Sequence, residues 1–191
     1  MRSSEAISPT AHYTGYVWYR HGLSHPGLVT PQGRSLYQAL RPFNAASRGL
    51  GGPSLEGFLL ARHRAIDARL ERAVADGTVG QVIEIAAGLS PRGWDFARRH
   101  SAALTYIEAD LPQMAQRKRR LLAEAGLETP RHRVVELDAL ADEGALSLAA
   151  LAATLDPSRG LAIVTEGLLN YFDSAAVMGM WRRFAAALGR F

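Results

Sequence analysis

A chain of 191 residues, 48% hydrophobic and 21% charged, has the length and apolar content for one domain with a core of its own. It has no cysteine, which excludes disulfides and thiolate metal sites. The net charge of +4 comes almost entirely from arginine, Lys118 being the single lysine, and is spread rather than gathered into a nucleic-acid face.

Met1 to Thr10 is polar, so no signal peptide is expected, and no run approaches the length of a membrane span. Together with the absent cysteines this reads as a cytoplasmic protein. Pro9, Pro26, Pro31, Pro42 and Pro53 punctuate a helical and irregular first third, and Gly49, Gly51 and Gly52 mark a loop. Ser54 caps a predicted helix to about Asp76, with Leu59, Ile66, Leu70 and Val74 on one face. Arg62 lies at the margin of that stripe and needs an anionic partner, whereas Arg64 points away.

From Gly80 the pattern changes. Gln81 to Ala87 reads as a strand, followed by Gly88 and a helix from Pro91 or Arg92. Leu104 to Ile107 is a second strand closed by Asp110, and Pro112 opens a helix that Gly126 stops. The run Arg117 to Arg120 falls in that helix as a solvated face. Arg133 to Leu137, closed by Asp138, and Leu161 to Thr165, closed by Glu166, are the third and fourth strands, with a loop and helix at Ala141 to Leu155 between them. Ser174 is expected to cap a last helix with the stripe Val177, Trp181, Phe184 and Leu188. Such alternation argues an α/β fold, a parallel sheet flanked by helices behind an N-terminal helical segment. Residues 1–78 form that segment, on the substrate side, and 79–191 the sheet-bearing part, in one compact unit.

Parallel α/β sheets bind ligands at the C-terminal ends of their strands, near the switch point. There the first strand ends in Glu84-Ile85-Ala86-Ala87-Gly88, whose small residues let a ligand approach the backbone, and the following helix aims N–H groups at the same space. Tight packing alone explains such a turn equally well. Asp110, 22 residues after Gly88, is placed to accept from both hydroxyls of a ribose; capping the next helix is its other reading. Asp138 is where an adenine then lies, or caps the segment after it. Glu166, on the strand beside the first, faces the amino-acid part of a ligand or is a surface carboxylate. A dinucleotide fingerprint is incomplete, since Ala86, Gly88 and Pro91 fill its three glycine positions, although Arg92 offers a charge for a pyrophosphate. Glu84 and the acidic strand ends better suit S-adenosylmethionine, with its ammonium and sulfonium.

The ordered set Ser8-Pro9-Thr10-Ala11, Leu60-Ala61-Arg62-His63-Arg64, Glu84-Ile85-Ala86-Ala87-Gly88-Leu89-Ser90-Pro91-Arg92-Gly93, Glu108-Ala109-Asp110-Leu111-Pro112 with Lys118, Glu136-Leu137-Asp138 and Thr165-Glu166-Gly167-Leu168-Leu169-Asn170-Tyr171 resembles the leucine carboxyl methyltransferase family, including its bacterial O-methyltransferase branch active on polyketides and other small molecules. The resemblance covers roughly the whole chain. It implies a Rossmann-like class I methyltransferase fold and S-adenosylmethionine as cofactor. Arg62 then takes the methionine carboxylate, Gly88 is the loop glycine, Asp110 with Leu111 the ribose site, Asp138 and Ala139 the adenine pair, and Glu166 an acid contacting the cofactor. Alanine stands at position 86, where the family often has glycine. Family members carry three more strands after the last helix, so the fourth strand is expected to be an open edge, and the chain a fragment, a truncated product, or half of an assembly completed by self-association or a partner chain.

Methyl transfer to a carboxylate needs no base, whereas a phenol needs one. His12, Tyr13, Asn170 and Tyr171 are the candidates near the acceptor, with packing of the aromatics and a solvated loop His12 as the plainer readings. No general base is assigned, and no metal is expected, since the histidines show no ligand spacing. Two other functions remain open. One is a nicotinamide-dependent oxidoreductase, against which the missing third glycine and the lack of a Tyr-x-x-x-Lys pair count. The other is an inactive adenosyl-ligand-binding or structural subunit.

Overall fold

A computed structural model describes residues 8–49 and 54–191. Met1 to Ile7, and the Gly51, Gly52 and Pro53 of the expected loop, lie outside the described residues. Three helices come first: α1 (Ser8–Arg20), α2 (Pro31–Gly49) and α3 (Leu55–Ala75). Pro31 sits in the first turn of α2, where its missing N–H is harmless, but Pro42 lies inside that helix rather than ending it. Ser54 caps α3, its hydroxyl accepting from the Gly57 N–H at 3.0 Å, and Asp76 follows the last turn, as the sequence suggested.

The sheet follows as β1 (Gln81–Ile85), α4 (Arg92–Arg99), β2 (Thr105–Asp110), α5 (Pro112–Glu124), β3 (His132–Glu136), α6 (Leu148–Ala152), β4 (Leu161–Thr165) and α7 (Ser174–Leu188). The order is β3-β2-β1-β4, all pairs parallel, and the register sets Ile85 beside both Ala109 and Thr165. The chain runs outward from β1 to β3 and then crosses to β1's other side. The turn after β1 therefore sits where the strand order reverses, between the ends of β2 and β4.

Alternation along β1 divides the core. Ile83 and Ile85, with Ile107, Ala109 and Leu137, pack on Leu148, Ala152, Met180 and Phe184 of α6 and α7. Val82 faces the other way with Tyr106 and Val164, against Leu70 and Val74 of α3 and Phe96 of α4. The expected stripe of α7 holds at Phe184, which is buried, and at Val177, which packs on the core, but its other two positions shift back by one, Met180 and Ala187 being buried while Trp181 is 52% and Leu188 40% exposed. Nor does Ser174 cap α7; Asp173 does, accepting from Ala176 N–H at 2.8 Å, because a carboxylate one residue earlier completes the same geometry with more charge. The Arg117 to Arg120 run is not one solvated face. Lys118 is fully buried with its ammonium on Glu108, and Arg119 pairs with Glu136. No helix of the described residues is long and apolar enough to cross a membrane.

Candidate functional site

The turn after β1 is built from left-handed backbone. Ala86 has φ +55° and Gly88 φ +53°, and a Cβ at Gly88 would stand 3.1 Å from the Cβ of Ala11 on α1. The Gly88 N–H donates to Asp110 Oδ2 at 2.7 Å and the Leu111 N–H to Asp110 Oδ1 at 2.8 Å. Asp110 thus spans the ends of β1 and β2. It does not cap α5, whose N-cap is Leu111 without a side-chain bond. One lone pair on each Asp110 oxygen is left over, and burial pushes its carboxyl above the usual value against the pull of the two N–H groups.

A cleft of about 660 Å³ opens along this edge. Arg62, Glu84, Ala86, Gly88, Asp110, Leu111, Asp138, Ala139, Glu166, Asn170 and Tyr171 all line it, so most residues singled out from sequence converge on one cavity. At its far end, beyond β3, Asp138 Oδ1 accepts from the Leu140 N–H at 2.9 Å, closing a turn. Its other oxygen and the Ala139 N–H have no partner among the described residues. Trp18, Gln32, Met114, Leu140 and Phe172 also contribute, none of which the sequence marked as a site residue. Neither the apolar residues among them, whose types are those of any core, nor Gln32 carries a local signal, and only the fold brings them to the cleft.

His12 and Tyr13 do not reach the cleft. His12 belongs to α1 and is 2% exposed, so it is neither a solvated loop residue nor an acceptor-side base. Its Nε2 lies 2.7 Å from Arg117 Nη1, which can only donate, so Nδ1 carries the proton toward Thr30 Oγ1 at 2.8 Å. Burial, then the Arg117 charge, lowers its pKa. Tyr13 packs against Tyr37 and accepts from Asn44 Nδ2 at 3.0 Å.

The first two N–H groups of the helix after the turn are spent within the protein. The Arg92 N–H donates to Ser90 Oγ at 3.3 Å and the Gly93 N–H to Glu108 Oε1 at 3.1 Å. A Cβ on Gly93 would fall 2.4 Å from Glu108 Oε1, so only glycine lets α4 sit this close to β2. Arg92 is likewise unavailable to a pyrophosphate. It is 1% exposed, and its guanidinium holds Glu84, Glu166 and Asp67. With both phosphate-binding devices consumed internally, the dinucleotide alternative loses its physical support.

The same arginine explains Glu84. One oxygen accepts from Arg92 Nη1 at 2.6 Å and the other from the Tyr106 hydroxyl at 2.8 Å, so this carboxylate braces the turn from beneath. Glu166 accepts from Arg62 Nε at 3.1 Å and Arg92 Nη2 at 2.6 Å, with His63 Nδ1 at 2.9 Å. Burial opposes its charge, but the His63 hydrogen bond and the Arg92 charge hold its pKa down at about 2. Arg62 has thus found the anion its position required, and its Nη groups have no hydrogen-bond partner among the described residues.

Residues 26–185 match the family model described as Leucine carboxyl methyltransferase. The chain belongs to the leucine carboxyl methyltransferase family. Curated relatives agree with the family assignment. A provisionally named S-adenosyl-L-methionine-dependent methyltransferase of Mycolicibacterium paratuberculosis is 35% identical over 134 residues, covering 65% of this chain and 40% of the relative. One from Mycobacterium sp. strain KMS is 36% identical over 127 residues, again 65% of this chain and 40% of the relative. One from Rhodococcus jostii is 31% identical over 134 residues, 70% of this chain and 44% of the relative. This family member therefore spans about two fifths of the length of the curated relatives it matches. Among solved structures, the S-adenosylmethionine-dependent methyltransferase SibL in its apo form is similar, at 22% identity and a TM-score of 0.45, covering 91% of this chain and 54% of that one.

Proposed function

We propose that the chain is the S-adenosylmethionine-binding part of a cytoplasmic methyltransferase that methylates an oxygen of a small molecule, a carboxylate before a hydroxyl. The observation that carries the reading is Asp110, whose two oxygens each keep a lone pair at the mouth of the cleft while Gly88 and Leu111 hold them in place. Two ribose hydroxyls need two such acceptors. The spare Asp138 oxygen and the Ala139 N–H match the amino group and ring nitrogen on the edge of an adenine. The unpartnered Arg62 Nη groups match a carboxylate at the opposite end.

When bound, S-adenosylmethionine supplies a methyl group on a positively charged sulfur. The protein's part is to hold an acceptor in line with it and to keep water out. The acceptor side, formed by α1, the end of α2 nearest Gln32, and Tyr171 and Phe172, is largely apolar. Among the described residues lining the cleft there is no histidine, which favours a carboxylate, already nucleophilic, over a phenol needing a base. We assign the cofactor to 79–191 together with Arg62 of α3 at its amino-acid end, and the acceptor-side role to the rest of the segment up to 78. The outer edge of β4 carries no strand among the described residues, and a further strand from this or another polypeptide is its natural partner.

Calorimetric titration with S-adenosylhomocysteine tests the reading. Saturable binding, lowered at least about tenfold in Asp110→Ala, is expected. A folded wild-type chain that binds nothing would overturn the cofactor assignment.

A further inference from the structure

Glu166 follows β4 at the cleft, yet its side chain is only 4% exposed and both of its oxygens are taken. Arg62 Nε holds Oε1, while Arg92 Nη2 and His63 Nδ1 converge on Oε2. Arg92, with a fully buried side chain, is itself pinned on a second side by Glu84 and on a third by Asp67. His63 is pinned by the Trp18 ring, 4.7 Å away between centroids. Three carboxylates and two guanidiniums from α3, β1, α4 and the end of β4 therefore close into one cluster, in which Arg62 lines the cleft with its Nη groups still free of hydrogen bonds among the described residues. That guanidinium lies between the Phe58 ring, 5.8 Å from its central carbon, and Gly167, where a Cβ would come within 3.4 Å of Nη2. Its Nε–H is spent on Glu166, which leaves the two-pronged Nη edge for an incoming anion.

Such a cluster is a poor device for stability alone, because desolvating several charges consumes most of what their attraction returns. It is a good device for fixing direction, since each charge has one low-energy arrangement once its partners are set.

We propose that the side chains of Glu166, His63 and Arg92 are positioning groups that act by aiming Arg62 at the carboxylate of the ligand's amino-acid end, an inference that rests on the cofactor reading above. Glu166 then serves as the counter-ion of the recognition arginine rather than as a ligand contact. Discrimination between adenosyl compounds with and without an amino-acid tail then follows from the side chains that hold Arg62 as well as from Arg62 itself.

Two ligands separate this from a general structural role. S-Adenosylhomocysteine carries the amino-acid end, and 5′-methylthioadenosine keeps the nucleoside and sulfur but lacks it. The wild type is expected to bind the first at least about tenfold more tightly. In Glu166→Gln, and in Arg92→Lys, whose single ammonium cannot reach three carboxylates, S-adenosylhomocysteine affinity is expected to fall about tenfold while methylthioadenosine affinity stays within about twofold. Arg62→Met removes the preference directly. Combining it with Glu166→Gln is expected to add nothing, because the second residue acts only through the first. Equal losses for both ligands would place Glu166 in the general fold, and additive losses in the double variant would make it a direct contact; either result overturns the inference. If Arg92→Lys does not fold, the Glu166→Gln cycle alone decides. A wild type that binds both ligands equally overturns the inference and leaves the cofactor reading standing, whereas one that binds neither overturns both.

Discussion

Ala86 is the described non-glycine residue with left-handed backbone, at φ +55°. A Cβ in that region costs on the order of 1 kcal/mol, part of which glycine returns through its freer unfolded chain. Ala86→Gly is therefore expected to raise stability by up to about 1 kcal/mol, read as a higher thermal midpoint, without changing S-adenosylhomocysteine affinity beyond about twofold. Gly88→Ala runs the other way. It combines φ +53° with a new atom 3.1 Å from Ala11, and about 1–2 kcal/mol of stability should be lost together with binding. Lys118 offers a different test. Its amine is buried between Glu108 and the Ser90 carbonyl, which it meets at 2.6 Å. An amine-reactive reagent should spare Lys118 in the folded chain and modify it once the fold opens. Rapid labelling of Lys118 under native conditions would contradict the buried pair. At this scale the sequence was partly legible. Asp110, Gly88 and Arg62 announce themselves through residue type and spacing. Glu84, Arg92, Lys118 and His12 do not, because nothing in a charged residue's local context tells whether a partner distant in sequence will bury it.

Helices and strands were the most legible level. The switch from helical to alternating periodicity at Gly80, the Ser54 cap and the Gly126 stop all carry local signals, and the elements lie within a few residues of expectation. The misses are also local in cause. Pro42 is tolerated inside α2 because that helix lies on the outer side of the N-terminal segment, with Arg41, Pro42 and Phe43 exposed. Two positions of the α7 stripe moved because alanines at 185–187 make more than one face apolar enough to bury, while Val177 and Phe184 kept theirs. Element α1 carries its own pH response. His12 joins it to Thr30 and to Arg117 on α5 through a neutral ring, and its pKa is lowered below 6.5. A proton taken up more readily by the unfolded chain means the contribution is present above pH 6.5 and is lost as pH falls through the lower folded value. Amide exchange in α1, corrected for intrinsic chemistry, should accelerate as pH drops below 6.5, and His12→Gln should remove that dependence.

At the scale of the molecule, Glu166 joins the N-terminal helices to the sheet. Its carboxyl is held at about 2 against an ordinary 4.5, so its contribution is complete above pH 4.5 and is lost as pH falls toward 2. The size is at most roughly 3 kcal/mol. Urea midpoints measured from pH 5 to pH 2.5 should fall more steeply for the wild type than for Glu166→Gln; parallel curves would contradict the assignment. The three-layer arrangement was readable from strand–helix alternation, and the convergence of strand ends on one cleft followed from parallel topology. What the sequence could not convey was that α3 belongs to the site as much as the sheet does, since that depends on contacts made across most of the chain.

Arg62 and His63 stand 104 and 103 residues before the carboxylate that holds them. On a ribosome adding about 5–20 residues per second, that separation is on the order of 5–20 s. During that interval α3 has emerged with two cationic or hydrogen-bonding side chains and no Glu166 to receive them. Its apolar face must also wait for β1, β2 and β4, so helix α3 is an early product of synthesis and a late arrival in the native state. The nascent chain should stay open to proteases around residues 54–75 until β4 has left the exit tunnel, after which the cleft and its arginine are completed in one step.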